Sequence, residues 1–581
     1  MSFEKDATCR LQFAKLARLQ FLAFIKKHHR HPLAALAGLA LALAFPNFNL
    51  AGAAWIAPAL LLASAHGKTG GAAWRIGYTG GLVFWLVSLA WLLEIPVTGF
   101  PILGWVALSA FMAIYPAFWV WLLAGKIGTG SWLRRCFWAL GGAAAWVALE
   151  MIRARLLGGF PWIPLGASQW QMTPLIQLAA STGVYGLSFL VVWTALALHS
   201  SVIALLRNPT TRYIWLGEIA LPTVVVMLVF NVGLARIRST TPEDASLRVT
   251  TIQPAVPQTM IWDTTENTNR FNKLIALTQT ALTNKTDLLL WPEAALPELT
   301  DETFAVLTNL ARSHQTWMMF NADDVLPKAE PKPDARYDVF NAAMLLDPEG
   351  RFAGSYHKRQ LVIFGEYIPL VDYLPFVKWF TPITSGYTSG DRIGHFDLER
   401  QPPARLDSTH EIQHAGSELG APARIRTAPL ICFEDMFPHH VRDHVDAETD
   451  LLVNLTNDGW FGNKAAQWQQ AACSAFRAVE NGVPLLRSCN NGITCWFDAT
   501  GRMREMFRDK DGSEYGVGFA TWEIPYPSAP SRVTTTYNRG GDRFGWTCVG
   551  VTVVLLLWRF KRVTSSQEPP SREAASTKLK S

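Results

Sequence analysis

The segment DLLLWPEAALP (287–297) decides the fold of the second half of this 581-residue chain. Its short apolar run is typical of a strand, and Pro292 ends that strand because proline cannot donate to a neighbouring strand. Glu293 is then presented just past the strand end. The predicted strands are LRVTTIQ (247–253), DLLLW (287–291), WMMFN (317–321), NAAMLLD (341–347), APLICF (428–433), DLLVNLT (450–456), PLLRS (484–488) and ITCWFD (493–498), and the predicted helices lie near 266–284, 302–314 and 465–481. This alternation predicts a layered α/β domain.

The part of the chain before this domain has a different composition. Overall, 50% of residues are hydrophobic and 17% are charged, whereas soluble domains have about 25% charged residues. Of the 46 acidic residues, 39 lie between 237 and 560, and residues 33–236 contain only Glu94, Glu150 and Glu218. The mean hydropathy is +0.14. This composition excludes a disordered protein, a coiled coil and a secreted disulfide scaffold.

The apolar part divides into stretches that suit a bilayer, which a helix crosses with roughly 20 residues. We predict spans near 33–49, 52–66, 75–94, 101–126, 137–156, 174–206 and 216–235, and an eighth near 545–558. The first two are short enough to form a hairpin, and the sixth is long enough to be bent. The predicted organisation is therefore a seven-span bundle (33–236), a water-soluble domain (237–543) and a last span (544–560).

The positions of lysine and arginine orient these spans, because basic residues concentrate in cytoplasmic loops. They cluster before the first span and in the second, fourth and sixth connections, which predicts that the segments 1–32 and 561–581 are cytoplasmic. The domain then lies on the outer side, and the tail is expected to be disordered. The net charge of +6 thus indicates orientation and not nucleic-acid binding. Arg153 and Arg155 fall at the outer end of a span, where they either reach lipid headgroups or serve a site.

Three predicted strand ends carry reactive side chains. Glu293 follows DLLLW, Lys358 follows a strand that begins near Phe352, and Cys432 closes APLIC. Alone, each has an ordinary interpretation as a turn glutamate, a surface lysine or a buried cysteine. Together they suit acyl transfer through a thioester, because a carboxylate can take the thiol proton and an ammonium can stabilise the thiolate and the oxyanion.

The other cysteines give no C-x-x-C pattern and no pairing with histidine. Cys489 and Cys495 flank NNGIT and fit either core residues or a disulfide. His439 and His440 are adjacent, so their side chains point in different directions. We therefore expect no metal site, and the sequence has no G-x-x-x-x-G-K-[ST] phosphate loop.

Three motifs resemble those of a known superfamily. WPEAALP (291–297), YHKRQLVIFGEYIP (356–369) and ICFED (431–435) resemble the Glu–Lys–Cys motifs of the nitrilase (carbon–nitrogen hydrolase) superfamily. Together with the spans, the chain resembles the apolipoprotein N-acyltransferase family over nearly its whole length. Further similar stretches are GGFPWIPLGASQ (158–169), QPAVPQTMIWD (253–263), NLTNDGWFG (454–462) and ENGVPLLRSCNNGIT (480–494). The resemblance implies a nitrilase-like αββα sandwich on an eight-helix transmembrane bundle.

The resemblance also implies roles for individual residues. It implies Glu293 as proton acceptor, Lys358 as the group that stabilises the oxyanion and thiolate, Cys432 as nucleophile, Glu366 and Glu434 as supporting residues, and Trp262, Tyr356 and Trp460 as lipid-binding residues. It implies no cofactor. Two positions depart from the family pattern, since Gln470 replaces a histidine and Phe433 a tyrosine of some members. The polar insert 398–423 resembles a loop.

The implied reaction is ping-pong N-acylation of the diacylglyceryl-cysteine of an apolipoprotein, the final step of lipoprotein maturation. The donor would be a phospholipid, commonly phosphatidylethanolamine, and the enzyme would lie in the inner membrane with its catalytic domain in the periplasm. Two alternatives stay open. One is a membrane-tethered amidase or nitrilase that acts on small polar substrates, and the other is a lipid-binding or scaffold protein without activity.

Overall fold

A computed structural model describes most of the chain. It covers residues 30–46, 48–96, 100–125, 131–207, 214–239, 245–332, 335–368, 386–400, 423–462, 465–526 and 534–565. The predictions for the segment before residue 30, for most of the insert 398–423 and for the tail after residue 565 lie outside these residues.

The first part of the chain is a bundle of apolar helices. Its helices are α1 (Arg30–Leu43), α2 (Ala57–Ser64), α3 (Gly70–Ser88), α4 (Phe100–Met112), α5 (Ile114–Leu123), α6 (Trp132–Arg153), α7 (Thr173–Ile176), α8 (Ala179–Thr182), α9 (Val184–Arg207) and α10 (Ile214–Arg238). Small residues let them approach closely: a Cβ on Gly38 would lie 2.0 Å from the Gly80 carbonyl oxygen.

Four stretches of helix in the described residues are long and apolar enough to cross a membrane. They are Pro101–Leu123, Trp132–Arg153, Val184–Leu206 and Gly217–Arg238. The predicted membrane character is therefore confirmed, whereas the count of eight spans stays a prediction. The first predicted span is a helix of 14 residues, and the stretch 174–206 is broken at Gly183, whose φ is +67°.

The second part is a layered α/β domain, as the sequence predicts, and it contains two six-stranded sheets. The strands are β1 (Ala245–Gln253), β2 (Leu288–Leu290), β3 (Trp317–Lys332), β4 (Ala335–Leu346), β5 (Phe352–His357), β6 (Phe396–Arg400), β7 (Ala423–Ile431), β8 (Thr449–Thr456), β9 (Leu485–Cys489), β10 (Cys495–Phe497), β11 (Met503–Met506) and β12 (Gly518–Tyr526). The orders are β12-β1-β2-β3-β4-β5 and β11-β10-β9-β8-β7-β6. In each sheet three central strands are parallel and the outer ones antiparallel.

The remaining helices cover the outer faces of the sheets and lead back to the membrane part. They are α11 (Gln258–Ile261), α12 (Asn267–Ala281), α13 (Asp301–His314), α14 (Pro438–Asp443), α15 (Ala465–Asn481), α16 (Thr536–Gly540) and α17 (Arg543–Ser565). One apolar core lies between the sheets, and a second packs α12 and α13 on the first sheet. A third core joins α14, α15 and the second sheet to the membrane helices without interruption.

Candidate active site

The structure brings the three predicted reactive side chains together at the strand ends. Lys358 directly follows β5, Cys432 directly follows β7, and Glu293 comes three residues after β2. The Lys358 Nζ lies 3.5 Å from the Glu293 Oε1, and the Glu293 carboxylate is near enough to the Cys432 thiol to raise its pKa. The first sheet thus supplies the carboxylate and the ammonium, and the second sheet supplies the thiol.

Glu293 is fixed by donors from both sheets. Its Oε2 accepts a hydrogen bond from the Asn457 backbone N–H at 2.9 Å, and its Oε1 accepts one from the Asn341 Nδ2 at 3.0 Å. The next residue, Ala294, has a φ of +61°, so the chain turns sharply after the strand. The carboxylate is buried and lies within reach of the thiol.

Lys358 is completely buried and forms ion pairs with the Glu293 and Glu366 carboxylates. Its Nζ donates to the Glu366 Oε1 at 2.7 Å, and the Asn341 Nδ2 donates to that same oxygen at 3.1 Å. Burial lowers the pKa of Lys358, but Cys432 in its thiolate form and the Glu366 and Glu293 carboxylates outweigh this effect and hold the pKa of Lys358 well above its usual value. The side chain is therefore a permanent cation beside the thiol.

Cys432 has a strained backbone and a neutral thiol at rest. Its φ is +57°, a left-handed conformation that costs a non-glycine residue about 1–2 kcal/mol. Burial and the nearby Glu293 carboxylate raise the pKa of the thiol well above its usual value, although Lys358 opposes this shift. A thiol whose pKa is raised needs a nearby base before it can act as a nucleophile.

Glu434 connects the lysine segment to the cysteine segment. Its Oε1 accepts hydrogen bonds from the backbone N–H groups of Arg359 at 2.8 Å and Gln360 at 3.1 Å. Its Oε2 accepts one from the Ile431 N–H at 2.8 Å. Glu434 thus fixes the residues that follow Lys358 and the residue that precedes Cys432, which makes it a positioning residue.

The three residues assigned to lipid binding lie in two different places. Trp262 and Trp460 form an edge-to-face pair with ring centroids 5.4 Å apart, and Trp262 is 47% exposed. Tyr356, in contrast, is only 2% exposed, and its hydroxyl donates to the Glu434 carboxylate at 2.9 Å. Its placement between the sheets does not fit the predicted contact with lipid, because strand β5 points this side chain into the core.

Several residues that hold the site were not identified from the sequence. Asn341 bridges Glu293 and Glu366, and Asn454 donates to the Cys432 carbonyl oxygen at 3.0 Å. Asn454 belongs to NLTNDGWFG, one of the stretches that resemble the family. The sequence around Asn341, in contrast, does not indicate that this residue reaches the site. The replaced position, Gln470, also donates to the Cys432 carbonyl oxygen at 3.0 Å.

The two arginines at the outer end of α6 have protein partners. Arg153 is buried, donates to the Trp162 carbonyl oxygen at 2.7 Å and lies 5.0 Å from the Trp85 ring centroid. Arg155 forms an ion pair with Asp542, just before α17. Arg153 therefore lies inside the bundle and not at headgroups. Cys489 and Cys495, whose pairing was left open, are both free and buried.

Comparisons with known proteins agree with this architecture. Residues 37–197 match the model of the apolipoprotein N-acyltransferase N-terminal domain, and residues 248–516 match that of carbon–nitrogen hydrolases. The second match contains strands β2 to β11, so the two-sheet domain has a carbon–nitrogen hydrolase fold.

Similar full-length proteins are also known. An apolipoprotein N-acyltransferase of Geobacter metallireducens is 33% identical over 543 residues, which cover 91% of this chain and 95% of that protein. One of Azotobacter vinelandii is 30% identical over 558 residues, which cover 93% and 96%. Among solved structures, a CN-hydrolase superfamily protein of Xanthomonas campestris is 17% identical with a TM-score of 0.33, and the match covers 48% of this chain and 91% of that chain.

Proposed function

The chain belongs to the apolipoprotein N-acyltransferase family, and we propose that it acylates the N-terminal diacylglyceryl-cysteine of apolipoproteins through a thioester on Cys432. Its enzyme class is acyltransferase. One observation carries the proposed mechanism: a thiol, a carboxylate and an ammonium meet at strand ends of a domain whose core continues into a bundle of apolar helices. A site built in this way can receive both the donor and the acceptor as lipids.

In the first half-reaction, Glu293 takes the proton of the Cys432 thiol while the sulfur attacks the carbonyl carbon of the phospholipid sn-1 ester. A carbon–sulfur bond forms, and the Lys358 ammonium stabilises the negative charge on the former carbonyl oxygen. The carbon–oxygen bond of the ester then breaks. Glu293 returns its proton to the leaving oxygen, and a lysophospholipid departs.

In the second half-reaction, the α-amine of the diacylglyceryl-cysteine attacks the thioester carbon. Glu293 accepts a proton from the amine as the carbon–nitrogen bond forms, and Lys358 again stabilises the oxyanion. The carbon–sulfur bond breaks, and the proton passes back to Cys432. The products are a triacylated lipoprotein and the resting thiol, so every bond and proton balances over the two steps.

The pair of Trp262, which is exposed, and Trp460 suits contact with the acyl chains. Trp460 lies in the short helical turn Asp458–Phe461. The ring centroid of Phe461, the last residue of this turn, lies 4.6 Å from that of Trp91 in the membrane part. Indole rings combine apolar area with one polar group, which suits the boundary between lipid and water. We assign lipid contact to this pair, while Tyr356 acts by positioning Glu434.

The remaining parts of the proposal concern the membrane. The apolar stretches favour eight spans, and the positions of lysine and arginine favour a catalytic domain on the outer side. The resemblance to the family implies that this side is the periplasm and that the membrane is the inner membrane. Phosphatidylethanolamine is the proposed donor. Four stretches of helix are long and apolar enough to cross a membrane by themselves. The other four spans would be supplied by the helices α1, α2, α3 and α17.

The test uses the full chain in detergent, incubated with phosphatidylethanolamine vesicles that carry an isotope-labelled sn-1 chain. Mass spectrometry should find one labelled acyl group on the Cys432 peptide, and addition of a diacylated lipopeptide should remove it. Cys432→Ala should carry no label, whereas Cys136→Ala, which changes a remote free cysteine, should be labelled normally. An unmodified Cys432 in the wild type would exclude the thioester route. Hydrolysis of short amides without lipid would favour the tethered amidase.

A further inference from the structure

The side chain of Gln470 contacts the backbone of Cys432. It lies on α15 and is 1% exposed. Its Nε2 donates to the Cys432 carbonyl oxygen at 3.0 Å and to the Asp435 Oδ1 at 2.9 Å. A primary amide nitrogen carries two hydrogens, so both are used by two acceptors in the same turn.

Asn454 repeats this arrangement from strand β8. Its Nδ2 donates to the same Cys432 carbonyl oxygen at 3.0 Å and to the Asp435 Oδ2 at 2.7 Å. The two amides therefore hold one carbonyl group and one carboxylate from two directions. Because a carbonyl oxygen has two lone pairs, the acceptor capacity of Cys432 is filled.

Asp435 is itself held by several hydrogen bonds, so it anchors both amide side chains. Its Oδ2 accepts hydrogen bonds from the Arg487 Nη1 at 2.5 Å and from the Ser474 Oγ at 2.6 Å. Asp435, Ser474 and Arg487 are all completely buried. The ion pair with Arg487 balances the charge of the carboxylate, which a buried group requires.

We propose that Gln470 is a positioning residue that holds Cys432 in its left-handed conformation, with the thiol directed at Glu293. The fixed carbonyl oxygen prevents the peptide after Cys432 from rotating, and relaxation of that peptide would turn the sulfur away from its base. The inference rests on the proposed function for its effect on turnover. Its effect on the reactivity of the thiol does not depend on which substrate the enzyme uses.

Three variants of the full chain in detergent test this role. Gln470→Leu keeps the volume and removes both donors. Gln470→His places at most one N–H on each ring nitrogen. One ring nitrogen therefore cannot donate to both the Cys432 carbonyl oxygen and the Asp435 carboxylate, as the amide nitrogen of Gln470 does. Asn481→Leu is the matched control, because Asn481 is also an amide of α15 and lies about 16 Å further along this helix. Its Nδ2 donates to the Arg477 carbonyl oxygen at 2.9 Å, and its Oδ1 accepts a hydrogen bond from the Asn538 Nδ2 at 3.0 Å.

The first readout is the rate at which iodoacetamide alkylates Cys432, followed by mass spectrometry of its peptide. Gln470→Leu should lower this rate and the kcat of acyl transfer by about tenfold to a hundredfold, because small misplacement of a reacting group has effects of that size. The KM for the lipopeptide should change less than about twofold. Gln470→His should fall between Gln470→Leu and the wild type, and Asn481→Leu should alkylate at the wild-type rate.

Two results would overturn the inference. One is wild-type alkylation and kcat in Gln470→Leu, and the other is an equal loss of alkylation in Asn481→Leu, which would indicate general destabilisation. If Gln470→Leu does not fold, the test rests on Gln470→His. Wild-type reactivity of the Cys432 thiol in Gln470→His would then contradict the positioning role of Gln470. The alkylation rates remain informative if no acyl transfer occurs, so failure of the proposed function would be recognised separately.

Discussion

The two sheets have the same strand plan but different outer layers. The helix α13 on the first sheet has three buried residues among its 14 positions, whereas α15 on the second sheet has fifteen among 17. The first outer layer therefore faces water, and the second is enclosed by the membrane helices. We call these the water-side and the bundle-side sheets. Glu293 and Lys358 come from the water-side sheet, and Cys432 comes from the bundle-side sheet.

This difference indicates how one site can combine charged reactive groups with access from the membrane. The water-side sheet supplies charged groups, and the two that react are held by side chains such as Asn341 and Glu366. The bundle-side sheet fixes the nucleophile through buried polar groups that share a core with the membrane helices. Substitutions of the same chemical type should therefore have larger effects on the bundle side.

The largest difference is expected for ion pairs. Arg487 in β9 is completely buried and pairs with Asp435 at 2.5 Å and Asp458 at 3.0 Å. Arg487→Leu leaves two buried carboxylates without their cation, and should lower the free energy of unfolding by about 3–5 kcal/mol. Thermal unfolding of the purified chain in detergent measures the change.

The water-side control is Arg248→Leu. Arg248 pairs with Glu523 at 2.6 Å, but the two side chains are 43% and 59% exposed, so the expected change is about 0–1 kcal/mol. Similar losses in the two variants would remove the distinction between the sheets.

The second prediction concerns Glu434, which joins the two sheets. Burial alone would raise its pKa, but His440 and the hydrogen bonds to the carboxylate lower it to about 2. A lowered pKa in the folded state means that the stabilisation is present above the unfolded value, about 4.3, and is lost as the pH falls towards 2. The loss should amount to about 3 kcal/mol.

Glu434→Gln isolates this contribution, because the variant has no carboxyl group to titrate at that position. The difference between wild type and variant in the free energy of unfolding should shrink as the pH falls from about 4.3 to about 2. A difference that stays constant over this range would show that the charge of Glu434 does not carry the link between the sheets.

Regular elements of the domain could be predicted from the sequence because burial gives them clear patterns. The helix predicted at 465–481 is observed as Ala465–Asn481, and all nine predicted strands are present, including the one that begins near Phe352. The strands β6, β11 and β12 were not predicted. The edge strand β11 has four residues, two of them exposed, and such short edge strands carry little apolar periodicity.

The candidate site was predicted only as far as its reactive groups. Glu293, Lys358 and Cys432 stand in distinctive motifs, whereas Asn341 is an ordinary amide that reaches the site because β4 pairs with β3 and β5. Tyr356 was assigned to lipid contact by the resemblance alone, which carries no information on the burial of this side chain. The burial pattern of β5 shows that Tyr356 points inward.

The third prediction concerns the contact between α15 and the membrane helices. The Gln469 Oε1 accepts a hydrogen bond from the Trp162 Nε1 at 2.6 Å, and its Nε2 donates to the Pro46 carbonyl oxygen at 3.1 Å. Gln469→Leu leaves these buried groups without partners and should lower the free energy of unfolding by about 1–3 kcal/mol.

Its control is Asn269→Leu in α12 on the water side. The Asn269 Nδ2 donates to the Glu266 Oε2 at 2.8 Å on an exposed surface, where substitutions usually change stability by about 0.5 kcal/mol or less. Unfolding in detergent compares the two variants, and equal midpoints would mean that the junction tolerates the loss of its buried amide.

The smallest effect is expected for the helix cap on the water side. The Thr300 Oγ1 accepts a hydrogen bond from the Thr303 N–H at 3.2 Å, and the Thr303 Oγ1 accepts one from the Thr300 N–H at 2.8 Å. Thr300→Ala should lower the free energy of unfolding by about 1 kcal/mol and leave the kcat of acyl transfer unchanged, because α13 covers the outer face of its sheet. The corresponding cap on the bundle side, Thr535, also donates to the Glu480 carbonyl oxygen, so Thr535→Ala should cost more. A lower kcat in Thr300→Ala would mean that the water-side outer layer also positions the reactive groups.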